Sequence, residues 1–234
     1  MNYIRIITGV VFILMLSVFL ITTNVGGAVN EPRLYTYGFE RHDITDATNI
    51  SPDQLERAAK QIRDYFNSDA DFLTLTITLN GQLVSLYNER ETLHMRDVKR
   101  LIVGTYWAQI VSGFFLLIFA GLTLLRSFSH GVQQLAKLLL TASLTLICLV
   151  LGIGLVSVIA WRPIFILFHQ ISFANNLWQL DPYNDYLLMM FPERFFLETT
   201  LLIALLTILE AVLLICIAWS MRLFLAHKHA GGNT

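Results

Sequence analysis

Four mainly apolar runs, 6–25, 101–125, 138–160 and 197–221, leave this chain few folds to choose from. Each has at least the roughly 20 residues needed to cross a bilayer's hydrocarbon core. In lipid every backbone N–H and C=O must find its partner within the segment, so runs of this kind cross as helices. The 234-residue composition agrees: 55% hydrophobic, 14% charged and mean hydropathy +0.60 belong to a polytopic membrane protein. A net charge of -1 offers no basic surface for nucleic acid, so counterion-release binding drops out. The first run follows Arg5 and exceeds the usual 7–15-residue signal core, so it reads as an uncleaved anchor.

Between the first two runs the composition inverts. Residues 30–100 hold nine of the 16 Lys/Arg and twelve of the 17 Asp/Glu, which marks a water-exposed domain at 29–100. Ser51-Pro52-Asp53-Gln54 supplies a cap, a Pro at N1 and a reciprocal Gln, predicting a helix from Pro52 to about Phe66 that buries Leu55, Ala59, Ile62 and Phe66. Residues 72–79 alternate with period two and meet Asn80-Gly81, the two-residue signal for a hairpin into residues 82–88. About seventy residues bury only a small core, so this unit is expected to lean on the rest of the chain. Asn88 and Glu91 form another cap signature, starting a helix that runs unbroken into the second span.

The expected layout is a mainly α-helical membrane protein with spans at 1–28, 101–126, 138–160 and 197–221. A small extracellular α+β domain, one helix plus a β-hairpin, separates the first two. A cytoplasmic turn at 127–137, a structured helical outer loop at 161–196 and a cytoplasmic tail at 222–234 complete it. Short-loop charge sets the orientation. Arg5, the turn with Arg126, His130 and Lys137, and the tail with Arg222 and Lys228 are positive, whereas the outer loop balances Arg162 and Arg194 against Asp181, Asp185 and Glu193. Both termini are therefore placed in the cytoplasm. Trp107 and Trp161 fall at the outer interface and Trp219 at the inner one. Cys148 and Cys216 lie at different depths, so no disulfide is expected.

The outer loop concentrates polar groups between apolar spans. Its run 164–168 is too short to cross, so 164–173 is read as lying at the membrane surface, followed by Asp181-Pro182 as a helix start and Pro192 opening the last helix. His94 and His169 meet on the outer side, and Asp97, three residues after His94, shares its helical face and is placed to orient the imidazole or raise its pKa. An interfacial histidine is more often a snorkelling or hydrogen-bonded residue than a catalyst. Asp181, Asn184 and Asp185 suit turns and caps, and Glu210 lies too deep to serve an interfacial site.

Residues 94–99 (HMRDVK), preceded by 87–91 (YNERE), together with Phe168-His169, Trp178, Asp181-Pro182, Asp185 and 191–196 (FPERFF), resemble the bacterial lipoprotein intramolecular transacylase (Lit) family. The similarity extends to the four-span layout. It implies transfer of the sn-2 acyl chain of a diacylated lipoprotein's N-terminal cysteine to that cysteine's α-amine, with the lipoprotein and membrane lipid as partners and no cofactor or metal. It matches the family's two outer-face histidines to His94 and His169, around which Asp97, Asp181, Trp178 and Arg194 are expected as supporting residues. Two histidines supply the base and acid that an amine attacking an ester needs near neutral pH, His94 leaning to base and His169 to acid. Two other classes stay open: a metal-dependent membrane hydrolase, which chelator sensitivity would reveal, and a non-catalytic assembly or sensing protein, in which both histidines would tolerate alanine.

Overall fold

The computed structural model describes residues 3–79 and 81–231, with the side chains of 4, 5, 79 and 228–230 left undescribed. Asn80 of the hairpin signal and the Arg5 and Lys228 charges of the orientation argument thus lie outside what is described. The elements are α1 (Tyr3–Asn30), α2 (Pro32–Arg41), α3 (Ile44–Thr48), α4 (Pro52–Phe66), β1 (Thr76–Leu79), β2 (Gln82–Ser85), α5 (Glu89–Arg126), α6 (Phe128–Ile159), α7 (Trp161–Ser172), α8 (Tyr186–Met190) and α9 (Glu193–Gly231). Four of them, α1, α5, α6 and α9, are long and apolar enough to cross a membrane.

The chain divides into two compact units. One comprises 1–25, 106–155 and 202–234. Its core joins Phe12, Leu16 and Leu20 of α1 to Leu135, Ala142 and Leu146 of α6 and Ala211 of α9. Ala142 and Ala211 are essentially buried, the small residues that let lipid-embedded helices approach closely. Glu210 accepts a 2.8 Å hydrogen bond from Asn24 Nδ2, which also donates to Thr207 Oγ1 at 3.2 Å, so the intramembrane acid ties α9 to α1. Cys148 and Cys216 are free thiols.

The expected turn at 127–137 is corrected here: only Ser127 is non-helical, and α6 starts at Phe128 rather than 138. Buried Gly131, Val132, Leu135 and Ala136 alternate with exposed Gln133, Gln134 and Lys137 at helical spacing, a pattern the polar residues masked. A Cβ at Gly131 would stand 2.6 Å from the Thr123 carbonyl, so glycine permits the tight reversal.

The other unit, 26–105 with 156–201, carries the polar domain and the outer loop. Helix α4 buries Leu55, Ala59, Ile62 and Phe66 as the periodicity requires. The expected capping box does not form. Ser51 makes no side-chain cap bond, and Gln54 instead accepts the Thr78 N–H of the hairpin at 3.2 Å. Antiparallel β1 and β2 pair with Leu79 opposite Gln82, and Gly81 takes φ +79, the left-handed conformation a two-residue turn needs. Regular pairing stops at Thr76 rather than Phe72, because Gln61 of α4 takes up the Thr76 N–H at 3.1 Å and its carbonyl at 2.9 Å. Short helices α2 and α3 fill the stretch before α4, for which the sequence signals predicted nothing. Gly38 of α2 faces Phe195, whose ring would stand 2.5 Å from a Cβ there, so the close approach requires glycine.

The outer loop also departs from expectation at Asp181-Pro182, which forms a turn and starts no helix. Asp185 is the N-cap of α8, and α9 begins at Glu193, just after Pro192. Phe191 packs on Tyr35, Phe39 and Phe195 at ring-centroid distances of 6.0, 5.6 and 5.3 Å, anchoring the end of the loop.

Candidate functional site

Helix α5 is 38 residues long, about 57 Å at helical rise, nearly twice a bilayer's hydrocarbon thickness. Its charged first turns, 89–100, are therefore free to stand outside the lipid while 101–125 cross. The helix starts on a reciprocal cap. Asn88 N–H donates to Glu91 Oε2 at 2.7 Å and Glu91 N–H to Asn88 Oδ1 at 3.0 Å, as the spacing predicted. His94 follows one turn later.

His169 sits near the C-terminal end of α7, and the two imidazoles lie 6.2 Å apart between ring centroids at a 31° tilt. Both are buried, His94 7% and His169 9% exposed. Aromatic rings surround them. Phe173 meets His94 edge-on at 5.1 Å, while Phe165, Trp178 and Phe168 pack on His169 at 4.3, 5.0 and 5.4 Å. Burial holds His94 down to about pKa 4, the neighbouring His169 adds to that, and Asp97 opposes it. Burial also lowers His169, against the raising effects of the Phe165 carbonyl and Glu193. Both rings are consequently neutral near pH 7.

The ring nitrogens differ. His169 Nδ1 lies 2.7 Å from the Phe165 carbonyl oxygen, which only accepts, so Nδ1 carries the hydrogen and Nε2 the lone pair. Buried His94 Nδ1 has no hydrogen-bond partner, an unusual condition for a polar atom in a protein interior.

Of the supporting residues expected from the sequence, only Trp178 touches a histidine. Asp97 does not hydrogen-bond His94. Its Oδ2 accepts Asn175 Nδ2 at 2.8 Å and its Oδ1 faces Arg100 Nη1 at 3.4 Å. Asp97 does raise the His94 pKa, as expected of its charge, but burial outweighs it and the ring ends below its ordinary value. Asp181 is exposed, and its carboxylate is spent on the Tyr183 N–H and Asn184 Nδ2, bonds that lower its pKa. Arg194 is exposed and makes no contact with either ring among those described. Sequence reasoning missed Phe165 and Phe173, which looked like ordinary interfacial apolar residues. It also missed that Glu91 does more than cap: its Oε1 accepts the Leu187 N–H at 2.6 Å. Among the described residues no three His, Cys, Asp or Glu side chains converge as a metal site would require.

Two neutral imidazoles in an apolar box, one with a directed lone pair, can take a proton from a nucleophile and return it to a leaving group. Comparison with known proteins bears on which reaction this is. A family model described as lipoprotein intramolecular transacylase Lit matches residues 10–196. An uncharacterised protein of Aquifex aeolicus is 28% identical over 144 residues, 62% of this chain and 62% of that protein's length. The solved structure of the integral membrane transacylase Lit from Bacillus cereus superposes with TM-score 0.78 at 22% identity, covering 98% of this chain and 99% of that one. A histidine-to-alanine variant of it gives 0.74 at 22% identity, covering 97% and 96%.

Proposed function

The chain belongs to the lipoprotein intramolecular transacylase Lit family, and from that premise we propose that it moves the sn-2 acyl chain of a diacylglyceryl-cysteine to the α-amine of the same cysteine. The product is a lyso-form lipoprotein. The substrate amine attacks the ester carbonyl, a C–N bond forms, the C–O bond to glycerol breaks, and one proton passes from nitrogen to the glyceryl oxygen. His169 Nε2 takes that proton and returns it to the leaving oxygen, while neutral His94 donates its N–H to the oxyanion between the two steps. These roles are the reverse of those the sequence suggests, with His94 as base and His169 as acid. A ring held near pKa 4 is a weak base, and Asp97, the reason for that order, is engaged elsewhere.

The observation that carries this reading is the buried pairing of His94 and His169, both kept neutral. No covalent nucleophile is needed, because oriented intramolecular attack reaches effective molarities of about 10⁵ to 10⁸ M. The charge bias of the short connections supports an outer-face site with both termini in the cytoplasm. Mass spectrometry of lipoprotein N-terminal peptides tests the proposal: cells with the gene carry an N-acylated, singly O-acylated cysteine. Identical acylation in cells lacking the gene would remove it.

A further inference from the structure

Two carboxylates of the unit that carries the histidine pair are buried and take no part in the proposed proton transfer. Glu91 is 1% exposed and Asp185 8%. Glu91 accepts the Asn88 N–H on Oε2 at 2.7 Å and the Leu187 N–H on Oε1 at 2.6 Å. Asn88 Nδ2 then donates to Asp185 Oδ1 at 2.7 Å, and Asp185 Oδ2 accepts the Asp181 N–H at 2.7 Å. Every carboxylate oxygen of the pair therefore meets a donor, as buried carboxylates demand. Burial and the Asp185 charge push the Glu91 carboxyl up, and the two backbone N–H groups work against that rise.

Capping α5 accounts only for the Asn88–Glu91 exchange. The bonds to Leu187 and Asp185 fasten a different stretch of chain. It begins three residues after Trp178, whose ring lies 5.0 Å from His169. The nearer arm of the same loop is held by Arg90 Nη2 on the Asn176 carbonyl at 2.8 Å and by Asp97 on Asn175. Residues 88–97 of the chain thus hold both His94 and the loop that walls His169.

We propose that Glu91 and Asp185 are positioning residues for acyl transfer, clamping the 176–187 loop so that His94 and His169 keep their productive separation. The proposal rests on the acyl-transfer reading above. An amide cannot replace either carboxylate, because its NH₂ would face an N–H donor where an oxygen now accepts. Displacing a reacting group by about 1 Å costs roughly 100-fold in rate, so a loosened clamp acts on kcat.

The test uses the full chain with Trp107, Trp161 and Trp219 changed to Phe, leaving Trp178 as the reporter, and a synthetic diacylglyceryl-cysteine peptide as substrate. Glu91→Gln and Asp185→Asn each should red-shift Trp178 emission and lower kcat by about 10- to 100-fold, with KM changed less than about threefold. The double variant should be no slower than the slower single, since both act through one clamp. If either fails to fold, Asn88→Ala, which cuts the tie to Asp185, carries the same test. Unchanged kcat in the folded variants overturns the proposal, as does a lowered kcat with unaltered Trp178 emission. If the parent chain transfers no acyl group, the acyl-transfer reading fails, while the Trp178 shift still decides whether the clamp holds the loop.

Discussion

His169 donates its Nδ1–H to the Phe165 carbonyl at 2.7 Å, leaving Nε2 as the nitrogen available for proton transfer. Because burial lowers both imidazoles, the base is already deprotonated below the ordinary histidine value of 6.5. The substrate amine titrates near pH 8. The kcat/KM profile should therefore rise towards pH 8 without an enzyme-borne break between 6.5 and 7. Ring-proton NMR titration of the two histidines checks the assignment, and a His169 inflection above 6.5 would contradict it.

In the proposed mechanism, replacing either histidine removes a group acting on the moving proton or on the charge it leaves. His94→Ala and His169→Ala are each expected to lose 10² to 10⁴ in turnover while the protein remains folded in detergent. Asp97→Asn should cost much less. Since Asp97 engages Asn175 rather than His94, Asn175→Ala should reproduce the Asp97→Asn effect, and a far larger loss from Asp97→Asn alone would restore a direct role on the imidazole.

The buried His94 ring also links stability to pH. A base whose folded pKa is depressed binds its proton more weakly in the native state, so stability is full above the unfolded value near 6.5 and falls as pH drops towards 4. The loss is on the order of 3 kcal/mol at the acid end. Thermal unfolding in detergent from pH 7 to 4 should show a steeper decline for the wild-type chain than for His94→Leu. Parallel curves would mean that the His94 ring is solvated in the folded chain.

How much of this was legible in the sequence follows the range of each interaction. The spans, the buried stripe of α4 and the hairpin rest on local periodicity, and the folded chain keeps them. The helix at 128–137 was hidden because Gln133, Gln134 and Lys137 look like a polar connection until Leu135 and Ala136 are seen to be buried. Loop charge and helix position bring His94 and His169 to one side, and the family resemblance then marks them as a pair. Asp97 and Gln54 show the limit of local geometry. Helical spacing put each beside a plausible partner, but Asn175 and Thr78, distant in sequence, took the bonds. Asp185 looked like a turn residue because its Asn88 partner lies nearly a hundred positions away.

Orientation in the membrane is tested with single cysteines in place of Gln82, Ser127 and Asn176, all at exposed positions, in a chain whose Cys148 and Cys216 have been changed to Ser. From the charge bias of the connections, positions 82 and 176 are expected outside and 127 in the cytoplasm. An impermeant thiol reagent applied to intact cells should label the first and third only. Labelling at 127 would reverse the topology and move the histidine site to the cytoplasmic face.

The last expectation separates an internal transfer from an ordinary two-substrate acyltransferase. With amine and ester on one lipidated cysteine, the site needs only to bring them within about 3 to 3.5 Å and relay one proton, so the migrating chain never leaves its own molecule. An acyl-enzyme, by contrast, would require a nucleophile activated by a neighbouring base, and would release the chain to any acceptor. The rings of Phe165, Phe168 and Trp178 pack on the His169 imidazole at 4.3, 5.4 and 5.0 Å, so the surroundings of the ring are apolar. A mixture of isotope-labelled and unlabelled diacylated peptides should then yield N-acylated products in which both chains of each molecule carry the same label. Crossed products, or an acyl adduct trapped on a serine or cysteine of the enzyme, would show a ping-pong route in which the histidines activate a covalent nucleophile instead of the substrate amine.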